Sequence, residues 1–274
     1  MIENECKVGL ALGAGGFRGL SHIGVIEVLQ NEGIRIDAVS GCSMGSIIAA
    51  CFACGMTTQM MERLCSSMDN KSFQDMTVPR RGLIRGDKME AIMRTMTANK
   101  KFSDIAFPLS IIAVNLTRGH LVTFKTGDNF SIARAIHASC AIPGVFCPVP
   151  YGQDVLVDGG IIKRLPMEEC RDLGVDFVIG VDVAYRGGEQ KADNIFDVIQ
   201  SSIDILQWEN RKLQMTDDEF VITPNVRRFH SMMLRQQEEC IEEGRIAAKN
   251  ALPAIRDKIA QIERQKAAMK EKAG

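Results

Sequence analysis

The chain contains 274 residues, of which 46% are hydrophobic and 24% are charged, and its formal net charge is −1. A chain of this length and composition can bury a sizeable core, and we expect residues 1–274 to form a single domain. The balanced charge gives no electrostatic reason to expect nucleic acid as a partner.

The nine cysteines are odd in number and scattered along the chain. No segment with a basic start and an apolar stretch precedes the first predicted strand. We therefore expect free thiols in a reducing, cytoplasmic setting, with peripheral contact at a membrane left open. Cys51 and Cys54 form one C-x-x-C, but no second pair completes a metal site. Both are expected as buried small side chains, and no metal is expected.

Short apolar runs alternate with helical patterns over the first 55 residues. Residues 7–12 and 36–40 are predicted strands, and residues 18–32 and 44–54 are predicted helices. This alternation indicates an α/β fold with a parallel sheet and helices on its faces.

The rest of the chain continues the mixed pattern. Residues 69–86 are broken by proline, glycine and arginine and form a candidate lid. Residues 231–272 are amphipathic and helical, and Pro253 is expected to begin a new helix there. That region could pack on the domain, pair with another subunit or touch a membrane. The other predicted helices are 58–68, 87–98, 131–139 and 194–214, and the other predicted strands are 109–115, 120–125, 155–157, 175–183 and 220–223.

A glycine-rich loop, Gly13-Ala14-Gly15-Gly16-Phe17-Arg18-Gly19, follows the first predicted strand. Its free backbone N–H groups could hold a negative charge that develops on a substrate. The same loop also suggests a dinucleotide-binding turn, which needs an acidic residue at the end of the second strand. Asp37 stands instead at the start of that strand. A bound cofactor is therefore disfavoured, and none is expected.

The second strand runs into Gly41-Cys42-Ser43-Met44-Gly45, a G-x-S-x-G sequence. This pattern places a serine hydroxyl on a tight strand-to-helix turn, where it can attack a carbonyl carbon. The pattern also occurs by chance in glycine-rich turns. Here it follows a strand, opens an apolar helix and lies next to the glycine loop, so we predict that Ser43 is a nucleophile.

A nucleophilic serine needs a base, and the histidines carry no local signature for that role. Asp158 is better placed, because it ends a short strand and precedes Gly159 and Gly160. The alternative is a turn or helix-cap aspartate. A free aspartate has a pKa near ~3.9, so partial burial would have to raise its basicity. The histidines weighed against it are His22, His120, His137 and His230.

Several ordered motifs extend from about Val8 to Val183, with weaker matches at Thr223-Pro224 and Glu243-Gly244. In order and spacing they resemble the patatin-like phospholipase family, especially its compact bacterial members. The motifs are the glycine loop with Arg18, Leu20-Ser21-His22-Ile23-Gly24-Val25, Gly41-Cys42-Ser43-Met44-Gly45, Ala138-Ser139-Cys140-Ala141-Ile142-Pro143-Gly144-Val145-Phe146 and Asp158-Gly159-Gly160.

The resemblance implies a Ser–Asp dyad without histidine, in which Ser43 is the nucleophile and Asp158 the base. It also implies an oxyanion hole from the backbone of Gly15 and Gly16, helped by the loop that Arg18 positions. The implied reaction is hydrolysis of phospholipid, lysophospholipid or related acyl esters through an acyl-serine. The implied fold is a three-layer sandwich with a central, mostly parallel sheet. The supporting motif glycines are Gly13, Gly19, Gly41, Gly45, Gly159 and Gly160.

The chain departs from the family pattern at two places. Ala14 replaces a common third glycine, and Lys163-Arg164 stand where the family often has asparagines. The basic pair could alter headgroup preference or the surface near the site. Two other functions remain open on the sequence. One is acyl transfer to an acceptor other than water, using Ser43 and His137. The other is lipid binding or regulation without useful turnover, against which the intact dyad argues.

Methionine is concentrated after the predicted nucleophile, since nine of the fifteen methionines fall between Met44 and Met96. Flexible thioethers suit a surface that fits acyl chains of varied shape. We hypothesise a methionine-lined acyl groove under a lid formed by residues 69–86, with Met89 and Met93 among its members. The alternative is that these methionines simply fill the core.

Overall fold

The structure is a computed structural model that describes residues 6–68, 75–76, 82–189, 193–230 and 235–273. Its sheet has eight strands in the order β5-β6-β3-β2-β1-β7-β8, with β4 paired to β3. The pairings β2–β3, β1–β2, β1–β7 and β7–β8 are parallel, and those of β4, β5 and β6 are antiparallel. The strands are β1 Val8–Leu12, β2 Ala38–Gly41, β3 Leu109–Asn115, β4 His120–Lys125, β5 Val149–Tyr151, β6 Asp154–Asp158, β7 Phe177–Val181 and β8 Phe220–Ile222.

Helices cover both faces of this sheet. Alternate residues of β1 enter different apolar clusters, because successive side chains of a strand point to opposite faces. Leu10 and Leu12 join the large core with α1, α2 and α8, whereas Ala11 packs with residues of α6. The helices are α1 Ser21–Asn31, α2 Met44–Ala53, α3 Thr58–Ser67, α4 Asp87–Met96, α5 Ile132–Ser139, α6 Met167–Arg171, α7 Ile195–Gln214 and α8 Gln237–Ala273. The predicted α/β sandwich with a mostly parallel central sheet is confirmed.

Strand β3 organises the centre of the molecule. One of its edges pairs along its length with β4, and the other edge is shared by β2 and β6. Strand β2 pairs in parallel and ends at Gly41 opposite Ile111. Strand β6 pairs in antiparallel fashion and ends at Asp158 opposite Ala113. The carboxyl ends of β2 and β6 therefore face each other across two residues of β3, a separation of roughly 7 Å along the strand.

The C-terminal helix crosses the first helix at two glycines. A Cβ atom on Gly24 of α1 would overlap the Ile241 carbonyl oxygen and lie 2.8 Å from the Arg245 nitrogen. A Cβ on Gly244 of α8 would likewise overlap Ser21. The absence of both side chains lets the two backbones touch. Arg245 strengthens this contact through ion pairs to Glu27 of α1 at 2.8 Å and Glu62 of α3 at 3.1 Å.

The expected helix start at Pro253 is wrong, because Pro253 lies inside the continuous helix α8. Proline removes one backbone hydrogen bond there and normally destabilises a helix interior. Ala248 before it and Ile255 after it are both fully buried. Packing on both sides of the proline holds one helix where the local sequence favours two.

The boundaries of several predicted elements also differ. The glycine loop enters α1 through a 3₁₀ turn, Gly16–Leu20, so the α-helix begins at Ser21 rather than at residue 18. The predicted strand 175–183 is shorter as β7, and the predicted strand 155–157 is longer as β6. Strand β5 and helix α6 were not predicted, because they have three and five residues and show little periodicity.

Candidate active site

Ser43 stands on a strained turn between β2 and α2. Its φ and ψ are 53° and −125°, which is unusual for a residue with a side chain. The turn is closed by hydrogen bonds from Gly45 N–H to the Cys42 carbonyl at 2.9 Å and from Ser46 N–H to the Ser43 carbonyl at 2.8 Å. The Ser139 hydroxyl accepts the Ser43 N–H at 2.9 Å and holds the elbow from α5. This geometry turns the serine side chain away from both elements and into a cleft.

The two glycines of the G-x-S-x-G sequence are required by close backbone approach. A Cβ on Gly41 would lie 2.5 Å from the Gly45 carbonyl oxygen. A Cβ on Gly45 would overlap the Leu12 carbonyl at the end of β1. Larger residues at either position would push α2 away from the sheet and displace Ser43.

Asp158 lies at the end of β6, and its side chain lines the same cleft as Ser43. Its Oδ1 accepts the Gly160 N–H at 2.7 Å, and its own N–H donates to the Ala141 carbonyl at 3.0 Å. Burial raises the pKa of Asp158 to about 6, and the hydrogen bonds from Ser43 and Gly160 oppose that rise. A buried carboxylate with this pKa is a stronger base than a free aspartate and is still ionised at neutral pH.

The glycine loop brings free backbone donors to the same cleft. The N–H groups of Gly13 and Ala14 donate to the carbonyls of Val181 and Arg164 at 3.0 and 2.8 Å. Those of Gly15 and Gly16 find no acceptor within the described ranges of the chain. Gly16 has a φ of +57°, and both glycines line the cleft with Ser43 and Asp158. Their N–H groups are available to an incoming oxygen atom.

His22 of α1 holds the glycine loop through a hydrogen bond to its backbone. Its Nε2 donates to the Gly13 carbonyl at 2.9 Å, so the proton lies on Nε2. Complete burial lowers the pKa of His22 to about 4, and the imidazole is neutral at pH 7. The expectation that His22 is a packing residue is therefore incomplete, since it also fixes one carbonyl of the loop.

The far wall of the cleft is helix α7, whose residues were not predicted to be part of the site. Gln200, Asp204 and Gln207 face the cleft together with Ile203. The cleft has a volume of about 480 Å³, including solvent at its mouth. The polar residues follow a spacing of three and four along a predicted helix, which puts them on one face. That spacing was a usable signal.

Arg18 lines the cleft beside the glycine loop. Its Nε donates to the Phe229 carbonyl at 2.9 Å, which ties the loop to the segment before α8. Burial lowers the pKa of Arg18, and the nearby charge of Asp204 opposes that change. The structure thus brings Gly15, Gly16, Arg18, Ser43 and Asp158 together in one cleft.

More than half of this chain matches a known protein family. A patatin-like phospholipase family model matches residues 10–171, which is more than half of the chain. This chain belongs to the patatin-like phospholipase family. The matched region includes Ser43, Asp158 and the glycine loop.

Curated relatives are similar to part of this chain and are longer than the part that aligns. An uncharacterised NTE family protein of Mycobacterium tuberculosis is 32% identical over 179 residues, which cover 65% of this chain and 49% of the relative. A lysophospholipase of Cryptococcus neoformans is 31% identical over 185 residues, which cover 65% of this chain and 11% of that protein. This chain therefore aligns with half or less of the length of these relatives.

Solved structures of two bacterial proteins have the same fold. VipD of Legionella pneumophila superposes with a TM-score of 0.64 at 15% identity, over 92% of this chain and 67% of that chain. The type III effector protein ExoU of Pseudomonas aeruginosa gives a TM-score of 0.50 at 15% identity, over 94% of this chain and 53% of that chain. At this identity the likeness concerns the patatin-like fold alone.

The other three histidines lie in different surroundings. His137 is buried in α5, where its Nδ1 lies 2.8 Å from Glu90 and its Nε2 lies 3.2 Å from the Arg85 carbonyl. Burial raises the pKa of Glu90, but hydrogen bonds from Arg94, His137 and Arg134 outweigh it and lower that pKa to about 2. His137 is thus engaged away from Ser43. His120 and His230 are exposed.

Most of the predicted lid, residues 69–74 and 77–81, lies outside the described residues. Its described parts contact the segment after α5: Ile84 forms a bridge with Phe146, and Leu83 N–H donates to the Val145 carbonyl at 2.9 Å. A wholly apolar pocket lies nearby. Met89 is buried outside its lining, contrary to the hypothesis, whereas Met93 is part of it. The pocket is lined by Phe17, Leu20, Met44, Ile47, Ile48, Cys51, Met61, Leu64, Cys65, Met68, Met93 and Met96.

The basic pair that departs from the family pattern is largely internal. Arg164 is fully buried, and its Nη2 donates to Asp182 at 2.6 Å. Its carbonyl accepts the Ala14 N–H, so this residue supports the glycine loop. Lys163 pairs with Glu168 and Glu169 at 2.8 and 2.7 Å. Arg164 therefore contributes to the scaffold of the site and not to its surface.

The remaining observations concern the cysteines, groups of metal-binding side chains, and helices long enough to cross a membrane. All nine cysteines are free, and Cys51 is buried, as expected, while Cys54 is partly buried. The described residues contain no group of three or more His, Cys, Asp or Glu side chains arranged to hold a metal ion. Among the helices of the described ranges, none combines the length and apolar character needed to cross a bilayer.

Proposed function

We propose that this chain is a serine esterase that hydrolyses phospholipids, lysophospholipids or related acyl lipids. The observation that carries the proposal is the cleft that brings Ser43 and the buried Asp158 together, beside the free N–H groups of Gly15 and Gly16. Membership of the patatin-like phospholipase family and the lysophospholipase relative support the substrate class. Water would be the final acyl acceptor.

The proposed reaction proceeds through two related steps. The Ser43 hydroxyl attacks the ester carbonyl carbon while Asp158 accepts its proton, and the tetrahedral oxyanion accepts hydrogen bonds from Gly15 and Gly16. Collapse of this intermediate breaks the ester C–O bond, and the leaving alcohol takes the proton from Asp158. A water molecule, deprotonated by Asp158, then attacks acyl-Ser43 and releases the fatty acid and free serine.

Arg18 is proposed to position the oxyanion hole. Its hydrogen bond to the Phe229 carbonyl fixes the start of the 3₁₀ turn in which Gly16 lies. The motif glycines Gly13 and Gly19 allow the loop to pack closely, since a Cβ on Gly19 would lie 2.5 Å from Met44. Gly159 plays the same part beside Asp158, because its Cβ would lie 2.8 Å from the Ile112 carbonyl oxygen.

The test of the proposed dyad compares labelling by a fluorophosphonate probe with turnover of a medium-chain nitrophenyl ester. Ser43→Ala should abolish both signals, and Asp158→Asn should lower both by at least about 100-fold, the usual scale for loss of a general base. Matched controls are Ser103→Ala, at an exposed serine, and Asp154→Asn, at the start of the same strand as Asp158. Labelling that persists in folded Ser43→Ala would remove the nucleophile assignment.

The acyl chain is proposed to occupy the methionine-lined pocket. Phe17 and Met44 line this pocket, while Gly16, Arg18 and Ser43 line the cleft. The 3₁₀ turn and the Ser43–Met44 peptide thus form a wall common to both spaces. An acyl chain attached to Ser43 would pass over this boundary into an apolar space of about 480 Å³, which includes solvent at its mouth.

Two methionines of helix α4 provide a matched test of the acyl pocket. Met93 lines the pocket and Met89 is buried elsewhere in the core, so both alanine variants lose similar packing. Met93→Ala should shift kcat/KM toward longer nitrophenyl esters, about fourfold for each methylene group that the new space buries. Met89→Ala should leave the chain-length profile unchanged. Equal profiles for both variants would contradict the pocket assignment.

The cellular setting is proposed from the cysteines. Nine free thiols, six of them buried, are typical of a protein kept in a reducing compartment. We therefore place this chain in the cytoplasm. We also propose that residues 1–274 form a single domain that acts on acyl lipid at a membrane surface.

A further inference from the structure

Helix α7 turns its polar side chains toward the cleft and large apolar side chains toward solvent, whereas most helices of globular proteins expose their polar face. Its polar residues Gln200, Asp204 and Gln207 face the catalytic cleft. Its outer face instead exposes large aliphatic side chains, with Ile195 75%, Leu206 64% and Leu213 86% accessible to solvent. We call this outer face the α7 stripe; its members are Ile195, Val198, Ile199, Ile205, Leu206 and Leu213.

The members of the α7 stripe share one face of the helix, on which the exposed Ser202 and Glu209 also lie. The stripe members follow steps of three, one, six, one and seven residues, which keep them on the same side of an α-helix. From Ile195 to Leu213 the helix rises about 27 Å. Exposed apolar surfaces of this size on one element mark a site where something docks.

Cations cluster at the C-terminal end of the stripe around Trp208. The guanidinium of Arg186 lies 5.5 Å and the Lys212 ammonium 5.9 Å from the centre of the indole ring. Both side chains are partly exposed, and Lys212 also pairs with Glu209 at 2.7 Å. Arg227 is exposed and donates to the Gly187 carbonyl beside the indole. A partly buried tryptophan with adjacent cations is typical of a segment that lies in a lipid headgroup region.

We propose that the α7 stripe is the surface by which this protein docks on an anionic phospholipid membrane. This inference rests on the proposed lipid substrate. The same helix forms one wall of the catalytic cleft, so docking through its outer face brings the cleft beside the lipid surface. The aliphatic stripe enters the acyl boundary, and Arg186, Lys212 and Arg227 contact anionic headgroups.

The test measures binding separately from hydrolysis. Protein carrying Ser43→Ala is mixed with vesicles of phosphatidylcholine and phosphatidylglycerol, and bound protein is measured by co-sedimentation. Trp208, the single tryptophan of the chain, reports on α7 through its emission and through quenching by brominated phosphatidylcholine. Ile195→Gln/Leu206→Gln keeps the net charge and helix propensity. It should weaken binding at least about tenfold, given the apolar area lost at two positions.

A second pair of exposed apolar residues gives the matched control. Leu116 and Met269 are 50% and 71% exposed and lie outside α7. Leu116→Gln/Met269→Gln should bind vesicles as the parent does. With Ser43 intact, Ile195→Gln/Leu206→Gln should also retain turnover of the soluble nitrophenyl ester while losing vesicle hydrolysis.

The outcomes separate this inference from the proposed function. Vesicle binding lost only in the α7 variant supports docking even if no ester is turned over. Equal binding by the α7 variant and the control, or no binding by the parent, overturns docking whatever the esterase activity. If the α7 variant instead changes the sedimentation coefficient of the free protein and leaves vesicle binding intact, the stripe is an interface with a second copy and docking is overturned.

Discussion

At the scale of single residues, Asp158 is held between two opposing influences. Burial disfavours its ionised form, while hydrogen bonds from Ser43 and Gly160 stabilise that form, and the net result is a pKa of about 6. An aspartate with an unperturbed pKa would be too weak a base for a hydroxyl group. A buried carboxyl group without such hydrogen bonds would remain protonated at neutral pH and could accept no proton.

The pH dependence of the proposed esterase activity should follow this carboxylate. Asp158 acts as a base only when deprotonated, so kcat/KM for a soluble nitrophenyl ester should rise with pH and level off above about 7. Below the pKa of about 6 the rate should fall roughly tenfold for each pH unit. Asp154→Asn should show the same profile. A profile that is flat from pH 5 to 8, with folding verified by circular dichroism, would contradict the assignment.

The residues of the proposed dyad could be named from the sequence, but some of the residues that hold them in place could not. Ser43 and Asp158 stand in recognisable motifs, and the structure places both residues in one cleft. Ser139, which holds the Ser43 backbone, and His22, which holds Gly13, act through single long-range hydrogen bonds. No local pattern encodes such contacts, because they depend on how α5 and α1 pack beside the elbow.

At the scale of elements, the crossing of α1 and α8 depends on glycine. Gly24→Ala would place a methyl group against the Ile241 carbonyl and the Arg245 backbone. We expect the free energy of unfolding to fall by about 3 kcal/mol, at the upper end for overpacking because backbone atoms cannot yield. Urea denaturation measures the change.

Gln30→Ala, at an exposed position of the same helix, is the control for Gly24→Ala and should leave the unfolding free energy within about 0.5 kcal/mol. A Gly24→Ala variant as stable as the parent would show that α8 does not press on α1 at this point. The result would also bear on Pro253, whose place inside α8 is explained by the packing of α8 along α1.

Helices and strands could be predicted from the sequence where a clear hydrophobic pattern extends along the element. Strands β1 and β3 and helices α3, α5 and α7 lie close to their predicted bounds. Strand β5, helix α6 and the continuity of α8 were missed because tertiary contacts, and not local preference, decide them. The spacing of Gln200, Asp204 and Gln207 already predicts that they share one face of α7. Only the structure shows that this face lines the cleft.

At the scale of the whole molecule, sheet topology is what the sequence could not reveal. The predicted parallel sheet is confirmed, but its antiparallel edge and the strand order follow from pairings between distant segments. The position of Asp158 beside Ser43 follows from those pairings. The family resemblance paired these two residues without showing what brings them together.

The pairing of β2 and β6 with strand β3 sets the distance between the chain positions of Ser43 and Asp158. Gly41 and Asp158 are placed by counting positions along β3, not by the length of chain that separates them. The 38 positions from Leu116 to Gln153 therefore form a connection whose length does not set the spacing between Ser43 and Asp158. It follows that new chain ends opened at the exposed Arg118–Gly119 turn would leave that spacing unchanged.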